Sequence, residues 1–242
     1  VYKRQPPSSG LGSNTSIQDG FNLAWKLAYV INGHAAPSLL DSYTLERQPV
    51  GKQIVARANQ SRKDYAPINE CFATDGAEDP VAAGLAKMRD PGPQGVAVRE
   101  AMAQALELKN YEFNAQGVEL NQRYTSSAVI ADPDAGEEQW ERDPQLHLQA
   151  TTRPGAKIPH VWLVGERGDR ISTLDVVGKG VFTLVTGLAG TAWSAAAQKL
   201  DLPFLRTVVI GAPGHTDPYS AWHRAREIAE AHVHGQEAVS YT

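Results

Sequence analysis

Cysteine is nearly absent from this chain: Cys71 is the only one in 242 residues. An internal disulfide is therefore excluded. So is thiol–disulfide exchange by a CxxC pair, which needs two thiols. A lone thiol fits a reducing compartment, and the cytoplasm is the expected location. No apolar run approaches the about 18 residues that a membrane-spanning helix needs. Basic charge is also short, with 23 Lys and Arg against 27 Asp and Glu and a net charge of −4. Nucleic acid is not expected as a partner, because phosphate binding takes a basic face. No HExxH and no Cys/His set accompanies the seven histidines, so no metal is expected; His232 and His234 read as a solvated helix end. A dinucleotide-binding GxGxxG turn is missing too. Gly10-Leu11-Gly12 is followed by Thr15 where the third glycine would stand, and no buried strand precedes it.

What is plentiful is punctuation. Fifteen prolines and 21 glycines in a chain that is 42% hydrophobic indicate many turns around a real core, with one or two domains. The densest punctuation is Pro6-Pro7-Ser8-Ser9-Gly10-Leu11-Gly12-Ser13-Asn14-Thr15. Two prolines stiffen the approach, two glycines permit close contacts, and Ser13, Asn14 and Thr15 are helix-capping types. Ile17, Phe21, Ala24, Leu27 or Ala28, and Ile31 then repeat at helical spacing. On the residues alone, two readings stay open. One is a loop before a well-capped helix. The other is a helix mouth whose free N–H groups and positive dipole end face an anionic or electron-rich ligand.

Further along, the pattern predicts a first helix over Thr15–Asn32 and a second over Leu39–Arg47, capped by Ser38. A third is started or kinked by Pro49, with Val50, Ile54, Val55 and Ala58 on one side. Residues 67–95 read as loop with a short helix over Val81–Arg89, and Val96–Asn110 as helix. Gly117–Ile130 reads as one or two strands, and Asp132–Pro154 as a polar linker. From Gly155 the pattern changes to β-branched runs at 160–164, 171–177, 181–186 and 206–210, with helices near 192–200 and 219–232. That alternation predicts a small α/β layer. Trp162 and Trp193 are expected as core anchors, and Glu46 with Arg47 as a structural ion-pairing cluster. Asp217 beside His215 reads as a turn, since no nucleophile is placed with them.

The string PPSSGLGSNTSIQDGFNLAWKLA resembles the flavin-contacting segment of FAD-dependent aromatic hydroxylases, in the phenol and chlorophenol monooxygenase branch. Similar too are Leu39-Leu40-Asp41-Ser42-Tyr43 with Glu46-Arg47, the run IVARANQSRKDY, Trp140-Glu141-Arg142-Asp143-Pro144, Pro154-Gly155-Ala156 and Pro159-His160-Val161-Trp162-Leu163. These motifs cover essentially the whole chain in family order.

The resemblance implies an α/β chain: a helical C-terminal remnant of an FAD-binding, Rossmann-like domain over 1–131, a linker over 132–154, and a thioredoxin-like domain over 155–242. It implies FAD as cofactor, NADH or NADPH as co-substrate, and a phenolic substrate hydroxylated with O2. It implies that Pro7 lies against the isoalloxazine ring, that the backbone amides of Ser13 and Asn14 face the ring's pyrimidine edge, and that Gly12 also belongs to the cofactor-binding loop. The family carries a Gly-Asp pair before the double proline, whereas Val1-Tyr2-Lys3-Arg4-Gln5 stands here. The chain is accordingly expected to be a C-terminal piece, with the groups that activate the phenol upstream and no catalytic residue of its own. Gly187–Trp193, the counterpart of a thioredoxin active-site turn, holds no cysteine, which implies a structural or homodimer-contact role. The alternative to an enzyme is a non-catalytic association module.

Overall fold

The computed structural model describes residues 8–72, 76–134, 136–165, 169–211 and 219–220. Two compact units emerge, one of residues 1–149 with 153–157, the other of 150–152 with 158–242.

The first unit is helical: α1 (Leu11–Ile31), α2 (Asp41–Lys63), α3 (Ala66–Phe72), α4 (Pro80–Arg89), α5 (Pro93–Glu107), α6 (Asn110–Phe113) and α7 (Gln116–Leu120). Local chemistry sets several ends. Asp79 caps α4, its Oδ1 accepting from the N–H groups of Val81 and Ala82 at 3.0 Å each. Pro80 and Pro93 sit at first helical positions, where no N–H is needed. The apolar core joins Leu11, Val50, Ile54, Ala115 and Val118, with Tyr124 packed against it.

Four expectations change. Helix α1 starts four residues early, at Leu11, with Gly10 as its N-cap. Pro37–Leu40 is a 3-10 turn rather than a capped helix start, and α2 runs unbroken through Pro49. A proline inside a helix removes one hydrogen bond and crowds a carbonyl. Here Pro49 is exposed, while Glu46, Arg47, Val50 and Ile54 on either side are buried and hold the helix together. Gly117–Ile130 holds no strand; it is α7 followed by irregular chain, with an isolated bridge between Arg123 and Ala156. The fourth change is at 67–72, expected as loop and folded as part of α3. Helix α1 itself faces against its apolar periodicity. Its apolar stripe points outward, with Phe21 72% exposed and Ile17 and Ile31 similarly bare. Its polar stripe, Thr15, Asp19, Asn22 and Lys26, is buried.

The stretch 132–154, expected as a linker, bonds extensively within the helical unit. Asp143 accepts from the Tyr111 hydroxyl at 2.6 Å, Glu138 pairs with Arg123 at 2.9 Å, and Val118 N–H donates to the Gln145 carbonyl at 3.1 Å.

The second unit holds β1 (Trp162–Val164), β2 (Arg170–Ser172), α8 (Thr173–Val176), β3 (Phe182–Gly187), α9 (Thr191–Leu200), β4 (Leu205–Gly211) and β5 (Tyr219–Ser220). The sheet order is β2-β1-β5-β4-β3. β1 runs antiparallel to β2 and β5, and β4 runs parallel to β3 and β5. A capping box of Ser172 and Asp175 starts α8. Leu163, Val176, Val208 and Ile210 form the core. The expected anchors are not in it: Trp162 is 40% and Trp193 68% exposed. Trp162 instead stacks edge-on with His160 and carries the Arg170 guanidinium 4.7 Å from its ring centre. The helix expected over 219–232 gives way to strand at Tyr219–Ser220; its remainder lies outside the described residues, as do His215, Asp217, His232 and His234.

Candidate functional site

Ser8–Gly10 form a 3-10 turn that feeds α1, with Ser9 (φ 67°) and Gly10 (φ 60°) both left-handed. Glycine takes that conformation freely; serine bears a cost of about 1–2 kcal/mol. The Ser9 hydroxyl lies 3.3 Å from the Ser61 hydroxyl on α2. No side chain caps the helix. The expected caps Ser13, Asn14 and Thr15 stand inside it. Thr15 Oγ1 donates back to the Leu11 carbonyl at 2.6 Å and Asn14 Nδ2 to the Gly10 carbonyl at 3.4 Å.

Helix geometry leaves the first-turn N–H groups of Gly12 and Ser13 without an intrahelical acceptor, whereas the Asn14 N–H falls opposite the N-cap carbonyl. Ser13 and Asn14 are exposed and Gly12 is half-buried. A Cβ placed on Gly10 would meet nothing within 4 Å, so the mouth is open. Neutral donors at the positive end of a 21-residue helix fit the electron-rich edge of a planar ligand. Of the four positions expected to bind cofactor, the structure brings Gly12, Ser13 and Asn14 together at this mouth; Pro7 lies outside the described residues.

Behind the mouth lies a buried ionic cluster. Glu46 Oε2 accepts from Lys26 Nζ at 2.6 Å and Asn22 Nδ2 at 2.7 Å, and Glu46 Oε1 from the Ser126 hydroxyl at 2.6 Å. Lys26 is fully buried and Glu46 is 4% exposed. One residue on, Arg47 donates from Nε to Asp19 at 2.6 Å, from Nη1 to the Tyr124 hydroxyl at 2.7 Å, and from Nη2 to Gln18 at 3.2 Å. Glu46 and Arg47 thus form the ion-pairing cluster expected of them. Their partners were not singled out from sequence. The signal existed, since Thr15, Asp19, Asn22 and Lys26 are a polar row at helical spacing. Among the described residues no group of His, Cys, Asp or Glu is arranged to hold a metal.

Burial alone would push the Glu46 carboxyl up. The hydrogen bonds from Lys26, Ser126 and Asn22, with the Lys26 charge, outweigh it and hold the group below its ordinary value. The Arg123 hydrogen bond likewise lowers Glu138, and the Tyr111 hydroxyl lowers Asp143. A carboxyl with a lowered folded pKa contributes stability above its unfolded value of about 4 and loses it as pH falls through the folded one. The urea midpoint of the helical unit should therefore drop between pH 7 and pH 3. Equal midpoints at the two pH values would contradict the role of these three carboxylates.

Residues 2–58 match the FAD binding domain family. The chain is 48% identical over 234 residues to 2,4-dichlorophenol 6-monooxygenase of Cupriavidus pinatubonensis, covering 94% of this chain and 39% of that protein. It is also 45% identical to phenol 2-monooxygenase of Pseudomonas sp., covering 94% of this chain and 38% of the relative. Among solved structures, the flavin-dependent monooxygenase PieE, crystallised with FAD and substrate, superposes with a TM-score of 0.82 at 39% identity. That match covers 93% of this chain and 39% of PieE. The chain thus spans about two fifths of the length of these relatives. Among its described residues no helix is long and apolar enough to cross a membrane.

Proposed function

We propose that this chain is part of an FAD-dependent monooxygenase that hydroxylates a phenolic ring with NAD(P)H and O2. The observation that carries the reading is the open mouth of α1, uncapped by any side chain, inside the segment that matches the FAD binding domain family. Bound there, FAD would supply the electron transfer and oxygen activation that no side chain can perform. The main-chain donors of Gly12 and Ser13, with Asn14 beside them, would hold the pyrimidine edge, where reduction places negative charge, and Pro7 would lie against the ring. Fixed donors aimed at developing charge need no reorganisation when it appears. Phenol and 2,4-dichlorophenol, which stand in the names of the two relatives, support a phenolic substrate.

The second unit is read as a thioredoxin-like domain without redox chemistry. Its parallel β3–β4 pair, followed and linked by α9, supports that reading, and Gly187–Trp193 carries no thiol. The bare Trp193 and Leu200 on α9 suit a homodimer contact in the cytoplasm, and they also favour the rival reading of a non-catalytic association module. The outward stripe of Ile17, Phe21 and Ile31 on α1 suits a helix that packs against more of a larger enzyme.

Expression of the whole reading frame that contains these codons should give a yellow protein with a flavin absorbance spectrum and phenol-dependent NAD(P)H oxidation. The 242-residue chain alone, given FAD, should oxidise no NADPH. A colourless, dimeric whole product would favour the association module instead.

A further inference from the structure

We propose that Arg47 is a positioning residue: by gripping the third turn of α1 it holds the helix's open first turn in register for the flavin. The proposal rests on the flavin reading of residues 12–14.

The guanidinium is 4% exposed, so it is shielded from substrate. It donates to four acceptors on two segments besides its own helix. Nε reaches Asp19 at 2.6 Å and Nη2 reaches Gln18 at 3.2 Å, both on α1. Nη1 reaches the Tyr124 hydroxyl at 2.7 Å and Gln122 Oε1 at 3.1 Å. Gln122 Nε2 closes the loop by donating to Gln18 Oε1 at 2.9 Å. Tyr124 is itself fixed, its N–H donating to the Gly155 carbonyl at 2.9 Å. Arg47 therefore ties α1 to α2 and to an anchored third segment.

Ser13 and Asp19 are six residues apart, about 9 Å along a helix axis at about 1.5 Å per residue. A hydrogen-bonded helix is stiff over that length, so rotation or slippage at Asp19 carries the mouth with it. The mouth has no side-chain cap of its own. Its placement depends on the Ser9–Ser61 contact, on the packing of Leu11, on this grip and, farther along α1, on the bonds of Asn22 and Lys26 to Glu46. Lysine could not replace the arginine: a single ammonium cannot span acceptors that lie on both sides of a planar fork.

The test uses the whole FAD-loaded protein with Arg47→Lys, and Arg99→Lys as a control that loses a pair of guanidinium bonds, to the Met88 and Asp90 carbonyls, without touching α1 or residues 122–124. Amide hydrogen exchange over residues 11–16 should speed up by about tenfold in Arg47→Lys and stay unchanged in the control. The FAD dissociation constant should rise by about tenfold, with a shifted flavin absorbance envelope, again in Arg47→Lys alone. Unchanged exchange would overturn the proposal. Faster exchange with wild-type flavin affinity and spectrum would also overturn it, while leaving the flavin site standing. A wild-type protein that takes up no flavin would instead remove the functional reading beneath it. Should Arg47→Lys not fold, Tyr124→Phe removes one acceptor and keeps the ring; it should change both readouts in the same direction and by less, and no change would count against the grip.

Discussion

Replacing Lys26 with methionine should cost the helical unit about 3–5 kcal/mol, read as a lowered urea midpoint with an unchanged slope. The side chain is fully buried, and its ammonium sits 2.6 Å from a carboxylate that is 4% exposed. Methionine fills the volume but carries no charge. Glu46 then stays buried with two neutral donors, Asn22 and Ser126, and no counter-charge. The cost is the penalty of stranding that charge, not the worth of the pair. The double variant Lys26→Met with Glu46→Leu should therefore recover much of the loss, since buried pairs replaced whole by apolar groups are often neutral. Recovery stays partial because Asn22 and Ser126 then lack an acceptor. A single variant as stable as wild type would show that the pair does not hold α1 to α2.

Gly155→Ala is expected to be as damaging by a different route. Gly155 has φ +82°, and a Cβ there would stand 1.9 Å from the Tyr124 carbonyl oxygen. Left-handed backbone costs a non-glycine residue about 1–2 kcal/mol, and forced overpacking adds about 1–3 kcal/mol. The obstacle is backbone, so no side chain can swing aside. Relief requires the chain at 124 and 155 to part, which breaks the Tyr124–Gly155 bond and moves the hydroxyl that Arg47 grips. Circular dichroism melts should show a loss of at least about 2 kcal/mol, and amides near 122–124 should exchange faster. A wild-type melt would mean that residues 124 and 155 do not meet as described.

The likeness to phenol monooxygenases was legible in short strings because each is dense in residues with restricted uses: prolines and glycines at the first loop, Pro154-Gly155-Ala156 at a left-handed turn, and Glu46-Arg47 in the ionic cluster. Strands β1, β3 and β4 were legible to within about two residues, because β-branched runs bounded by glycine and proline have few other solutions. The run expected as strand over 171–177 is strand only to Ser172, where the capping box turns it into α8, and β5 falls where a helix was expected. The start of α1 was not. Ser13, Asn14 and Thr15 are capping types, yet the left-handed pair Ser9 and Gly10 turned the chain into helix before them. The stretch 117–130 misread as strand because apolar alternation over so few residues does not separate a short helix from a strand.

Composition and motif order by themselves determined that this chain has no disulfide or thiol-exchange chemistry, that an α/β unit follows a helical one, and which enzymes it resembles. Those are properties of residue identity and spacing, which no packing can alter. Tertiary structure decided which face of α1 points inward. Helical periodicity favours burying Ile17, Phe21 and Ile31, but Glu46 and Arg47 on α2 bind Asp19, Asn22 and Lys26 of the polar row on α1. Buried charge left unpaired costs more than an apolar stripe left in water.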